Sequence, residues 1–150
     1  NMIVGREGRT LRDKWQQEGT RTFLGLHSEG FPNLFIVSGP QGGGGSFNFT
    51  NAIEEHGDYV VWMLSTMRDK GADVVDVKSE PEEEYAAHCR QADQVTRPLR
   101  DCITYYNGHG EADPGSLAYY GGGNWHKYRT RAQQTLDPYE FESRSQIVDR

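Results

Sequence analysis

Residues 33–67 read NLFIVSGPQGGGGSFNFTNAIEEHGDYVVWMLSTM, and this stretch decides the fold. Its first six residues, Asn33 to Ser38, are a short apolar run set between Pro32 and Gly39-Pro40, the pattern of a strand buried on both faces. A glycine run follows, and beyond it the apolar period changes. Phe49, Ile53, His56, Val60, Met63 and Met67 recur at alternating steps of four and three, which is one face of a helix of about five turns. Asn48 or Asn51 suits its cap, Asn51 pairing with Glu54 as in a capping box, and Gly71 suits its C-terminal end. Glu54, Glu55 and Asp58 lie in the first half, with Arg68 and Lys70 in the last turn, as the helix dipole favours. Residues 59–64 are apolar all round, so the helix is expected to be buried.

Outward from this unit, Asp73-Val74-Val75-Asp76-Val77 reads as a short strand. Ser79-Glu80-Pro81-Glu82-Glu83-Glu84 reads as a helix start with a solvated acidic face, the helix running to about Val95 and ending before Pro98. Residues 124–134 give a third helix and Tyr139-Glu140-Phe141 a short extended piece. Residues 3–11 read as a small hairpin around a Gly-bounded turn. Between Arg100 and Gly123, glycines alternate with tyrosines, as in a long ordered loop held by aromatic anchors. The expected class is α/β, helix-rich with short strands, with one domain over residues 1–141 and a polar tail over 142–150.

The 150 residues, 35% hydrophobic and 25% charged, suffice for one core, so a disordered chain is excluded. No run approaches the roughly 18 to 20 apolar residues of a membrane span, and the first residues lack a signal-peptide pattern. With 16 basic against 22 acidic residues the net charge is −6, which disfavours general nucleic-acid binding. Cys89 and Cys102 read as reduced thiols rather than a bridge, and a cytoplasmic protein is expected. Position 1 is Asn rather than Met, which suggests a piece of a longer chain.

A strand, a Gly-rich loop and a helix start together form a site geometry: the helix end offers unpaired amides and partial positive charge, and glycines allow close approach. The run Gly42 to Gly45 fits neither GxxxxGK[ST] nor GxGxxG, and a flexible turn is the competing reading. The five histidines have no metal-ligand spacing, so no metal is expected. His56, on the apolar helix face, reads as a hydrogen-bonded core histidine. Ser38 and Ser46 lack a GxSxG elbow, which gives hydrolase chemistry little support.

The wording of the sequence goes further. Gly25-Leu26, Gly30-Phe31-Pro32-Asn33-Leu34-Phe35, Gly39-Pro40, Asn48, Ile53-Glu54 and His56 together resemble the C-terminal part of the FAD domain of Baeyer-Villiger monooxygenases, class B flavoprotein monooxygenases. Residues 5–9 with Leu11 and Asp13-Lys14-Trp15 resemble the segment just before it. Tyr105-Tyr106 with Gly108, Pro114-Gly115 and Tyr120-Gly121-Gly122 resemble the family's final region.

The resemblance implies the C-terminal part of a Rossmann-like FAD-binding domain in an enzyme that uses FAD and NADPH to insert oxygen beside a ketone carbonyl, giving an ester or lactone. It implies that Gly39, Pro40, Asn48, Phe49, Thr50 and Tyr105 face the cofactors, with Tyr105 near the nicotinamide ribose, and that Gly42, Gly43, Gly44, Gly45, Ser46, Phe47 and Phe49 rim the substrate pocket beside Gln41. The glycine run resembles the subgroup that takes large cyclic ketones. Both GxGxxG turns, the FxGxxxHxxxW fingerprint and the active-site arginine are absent, so catalytic residues and most cofactor contacts are expected in a missing N-terminal part, and this chain alone is expected to be inactive. A flavin monooxygenase acting at nitrogen or sulfur, and a non-catalytic binding module, are the alternatives.

Overall fold

A computed structural model describes residues 2–42, 48–92 and 124–143. Among the described residues there are four helices, α1 (Leu11–Glu18), α2 (Phe49–Lys70), α3 (Ser79–Ala92) and α4 (Asn124–Thr135), and two short strands, β1 (Val74–Val77) and β2 (Tyr139–Glu142). The strands pair antiparallel, Val74 opposite Glu142 and Val77 opposite Tyr139. The strand expected over 73–77 is present from Val74, and the third helix and the extended piece at 139–141 are present too, the last continuing through Glu142. The N-terminal hairpin is a single Val4–Thr10 bridge closed over a 3-10 turn at Arg6–Gly8.

Helix α2 begins and ends as its sequence indicates. The Asn48 side chain accepts from the Thr50 amide at 3.0 Å, and Gly71 is left-handed with its amide turned back onto the last turn. One side of α2, with His56, Tyr59, Met63 and Met67, joins the core beside Val75 and Val77 of β1, Tyr85 and Cys89 of α3, Trp125 and Ala132 of α4, and Tyr139 of β2. The expectation that α2 is buried all round is corrected: Val61 is 63% and Leu64 51% exposed, on the side away from this core.

The strand expected at residues 33–38 does not form. Asn33 takes a left-handed conformation and spends its hydrogen bonds on the edge of β1: its amide donates to Val75 O, and its side-chain oxygen accepts from Val75 N, both at 2.9 Å. One residue thus stands in for a third strand, and Ser38, also left-handed, turns the chain again. The buried irregular segment lies earlier. Thr22 through Ser28 is fully enclosed, closed on itself by the Phe23–His27 bridge.

The acidic start of α3 is not wholly solvated either. Glu82 is buried, and its Oε2 lies 2.8 Å from the Nζ of Lys14, itself 0% exposed. Its Oε1 accepts from Ser28 Oγ at 3.1 Å and from the Glu29 amide at 3.0 Å. Lys14 donates a further bond to Glu29 O at 2.7 Å, so α1, the loop at 28–29 and α3 share one charged seam. Arg21 Nε also lies 3.3 Å from Glu82 Oε2 and Glu29 Oε2 3.3 Å from Lys14 Nζ, but removing Lys14 or Glu82 would take the nearest counter-charge from the other in the core, so this seam fixes where α1 sits.

Candidate functional site: a pinned strap leading to a helix start

Residues 38–42 form a strap against the buried loop at 22–28, and many of its hydrogen-bonding groups are engaged. The Gly39 amide donates to Gly25 O at 3.1 Å and the Gly42 amide to Gly39 O at 3.0 Å. Thr22 Oγ1 donates to Pro40 O at 2.6 Å. Gln41 is buried and turned inward, its Oε1 accepting from the Thr22 amide at 2.9 Å and its Nε2 donating to Thr20 O, while Tyr85 Oη donates to the Gln41 carbonyl at 2.8 Å. The expectation that Gln41 rims a pocket is corrected by this anchoring. Ser38 and Gln41 both hold positive φ, 55° and 64°, a conformation that persists in non-glycine residues only where the surroundings impose it.

The two glycines that matter here are Gly25 and Gly42. A side chain on Gly25 would fall 2.0 Å from the Gly42 Cα, and one on Gly42 would fall 2.8 Å from His56 Cε1, so only glycine lets the strap lie against the buried loop and the helix. Gly42 is therefore enclosed at the root of the glycine run. Gly43, Gly44, Gly45, Ser46, Phe47 and Tyr105 lie outside the described residues, as do Cys102 and the Gly/Tyr-rich loop.

At the far end of the strap, Asn48, Phe49 and Thr50 are exposed at the start of α2, Phe49 to 67%. No acidic residue stands in the first turn, so the partial positive charge of the helix end is not neutralised locally. Asn48 organises the helix start. These features fit a flat, electron-rich group that lies along the strap and receives the helix amides.

His56 links the two parts. Its Nδ1 accepts from the Ser38 amide at 2.9 Å, and Trp125 of α4 stacks on the ring, centroids 5.4 Å apart at 26°. Trp125 is fixed by its own Nε1 donating to Leu24 O at 3.0 Å, and Arg129, ion-paired with Glu55, covers its ring. The reading of His56 as a hydrogen-bonded core histidine holds. Burial lowers its pKa, the Gly42 backbone pulling the other way. His27, wholly enclosed against Phe35, Tyr59 and Tyr139, is driven down to about 3 by burial. Gln41 was expected at the pocket rim and Trp125 was weighed as a pocket or anchor residue, but the inward turn of Gln41 and the stacking of Trp125 on His56 were not legible, because nothing in their local sequence marks the partners that fold against them.

Two clefts lie elsewhere: one of about 310 Å³ between α3 and α4, lined by Lys78, Glu84, Tyr128 and Arg131 among others, and one of about 400 Å³ against Leu11 and Trp15. Neither touches the strap. Among the described residues no group of three or more His, Cys, Asp or Glu side chains is arranged to hold a metal, and no helix is long and apolar enough to cross a membrane. Cys89 is a buried free thiol whose pKa burial pushes up to about 12.

No protein-family profile matches the chain. Individual relatives do. A Baeyer-Villiger monooxygenase of Streptomyces coelicolor is 33% identical over 140 residues, covering 90% of this chain and 23% of that protein. Neopentalenolactone D synthase of Streptomyces avermitilis is 32% identical over 126 residues, covering 81% of this chain and 21% of that protein. Among solved structures, an oxidized steroid monooxygenase bound to NADP superposes with a TM-score of 0.76 at 27% identity, over 95% of this chain and 27% of that one. The chain thus spans less than a quarter of the length of these curated relatives. Relatedness over nearly the whole chain, in sequence and in fold alike, makes this chain a segment of an enzyme of the Baeyer-Villiger monooxygenase family.

Proposed function

We propose that the chain supplies one wall of the active site in an FAD- and NADPH-dependent monooxygenase that converts a small-molecule ketone to an ester or lactone in the cytoplasm. The observation that carries this reading is the strap at 38–42, locked from three sides and leading to a helix start without a neutralising acid. Family membership supplies the reaction. When bound, the flavin, reduced by NADPH, would activate dioxygen for insertion beside the ketone carbonyl.

The residues of this chain hold and orient. Gly39 and Pro40 lie along the ring, and the amides near Asn48, Phe49 and Thr50 point their partial positive charge at the edge where a reduced flavin gathers negative charge. Gly43, Gly44, Gly45, Ser46 and Phe47, together with Phe49, rim the ketone pocket, with Gly42 as their buried root, and Tyr105 stands toward the nicotinamide ribose. The Rossmann-like core, both nucleotide-binding turns and the catalytic residues belong to an N-terminal part with which this segment packs. The glycine run favours bulky cyclic ketones, because small residues leave the rim wide.

The test is turnover. The full-length enzyme should consume NADPH only when ketone is supplied and yield the ester or lactone by mass spectrometry, whereas the 150-residue chain alone should consume none. Oxidation of amines or sulfides with ketones untouched would replace this reading by a nitrogen- or sulfur-directed monooxygenase. Full-length protein that binds no flavin would point to a non-catalytic module.

A further inference from the structure

We propose that His56 is the positioning residue of this site, a neutral imidazole that clamps both ends of the strap at 38–42 and so holds Gly39 and Pro40 in their place along the flavin. The catalytic consequence rests on the function proposed above; the clamp itself rests on geometry. Ser38 N–H donates to Nδ1 at 2.9 Å, which requires a lone pair there and puts the ring proton on Nε2. The ring carbon between the two nitrogens meets Gly42, where a Cβ would lie 2.8 Å from Cε1. One side chain thus touches the first and the last residue of the strap.

The ring is not free to leave. Trp125 stacks on it and is hydrogen-bonded to Leu24, and Arg129 backs Trp125 while paired with Glu55 from the turn of α2 that carries His56. His56 is buried, its Nε2 beside the Gly42 backbone but without a well-formed hydrogen bond there, and the neighbouring Ser38 Oγ has no hydrogen-bond partner among the described residues. Buried polar atoms in a folded protein are rarely left so, and here both sit at the strap. His27, also enclosed with an unpartnered Nε2, packs against the rings of Phe35, Tyr59 and Tyr139, whereas His56 meets the strap. This one exerts its hold through Nδ1, and the strained left-handed Ser38 is the residue it holds.

The experiment uses the full-length enzyme with His56→Leu, which removes the acceptor, and His56→Asn, whose side-chain oxygen reaches the Nδ1 position. Amide hydrogen exchange of a peptide spanning residues 36–42 reads the clamp without reference to turnover. The leucine variant should exchange there about tenfold faster or more, the equivalent of one lost hydrogen bond, with the asparagine variant near wild type. Ketone KM and the hydrogen peroxide released per NADPH consumed should rise in the leucine variant and return toward wild type with asparagine, at unchanged flavin content. If leucine prevents folding, His56→Gln, whose amide overshoots the Nδ1 position by one carbon, replaces it. Wild-type exchange in the acceptor-deficient variant overturns the clamp. Faster exchange with unaltered kinetics overturns its role in the reaction, as do leucine and asparagine variants with equal defects. A wild-type enzyme with no ketone-dependent NADPH consumption defeats the functional reading instead, and the exchange data still decide the clamp.

Discussion

The seam between α1 and α3 and the strap before α2 are both buried and polar, but they are finished to different degrees. In the seam each Glu82 oxygen is engaged, by Lys14 on one side and by Ser28 and Glu29 on the other. In the strap, Ser38 Oγ and His56 Nε2 are enclosed without a partner among the described residues, two non-glycine residues hold left-handed backbone, and the helix start beyond them is exposed. The difference teaches where the described residues satisfy their own buried polar groups and where they leave them unpaired. A structural ion pair must satisfy its own charges, whereas a binding edge keeps donors in reserve.

The seam offers the largest effect. Lys14→Met leaves Glu82 buried without its main counter-charge and should cost about 3–5 kcal/mol of stability by urea denaturation. Lys14→Met with Glu82→Leu should recover much of that loss, since an apolar pair removes the stranded charge. A double variant no better than the single would show that Ser28 and Glu29, deprived of their acceptor, matter more than the charges.

His27 provides an intermediate case, a buried ring whose Nε2 also has no described partner but which packs only against Phe35, Tyr59 and Tyr139. Its folded-state pKa is about 3, while the unfolded chain should titrate near 6.5. Between these values the unfolded state takes up a proton that the folded state refuses, so stability rises with pH and is lost as pH falls below about 6.5. The loss should be about 1.4 kcal/mol per pH unit, hence about 2 kcal/mol by pH 5. The measurement is the difference in unfolding free energy between wild type and His27→Phe across pH 7 to 5. A flat difference would mean that His27 is protonated when folded, and that an orphaned nitrogen alone does not distinguish the strap.

The smallest effect belongs to the helix start. Asn48→Ala frees the Thr50 amide and should cost about 0.5–2 kcal/mol, with Asn48→Ser restoring most of it. If the helix end faces the flavin, flavin affinity in the full-length enzyme should fall along with stability. A stability loss with flavin affinity unchanged would make Asn48 a plain cap and weaken the strap-to-helix geometry.

Local pattern was enough for α2, α3 and α4, but α1 (Leu11–Glu18) was not read as a helix. The spacing from Phe49 to Met67, the cap at Asn48 and the left-handed stop at Gly71 all appear as written, because each depends on neighbours within one turn. The wording around Gly39-Pro40 and Ile53-Glu54 was enough for the family. The apolar run at 33–38 misled, since it satisfies the strand pattern while Asn33 alone completes the β1 edge. Residues 59–64 misled in a similar way: a wholly apolar stretch implies burial all round, yet the described residues cover only one side of α2.

The sequence by itself determined that α2, α3 and α4 are helical, where α2 stops, and to which enzymes the chain is related, because periodicity, capping and motif wording are properties of adjacent residues. Only the tertiary structure decided that Glu82 meets Lys14 across 68 positions, that Gln41 turns inward to Thr22, and that Trp125 lies on His56. Such pairings depend on which surfaces the folded chain brings together, and a buried charge or an unpaired imidazole nitrogen acquires its meaning only from the partner that burial gives or withholds.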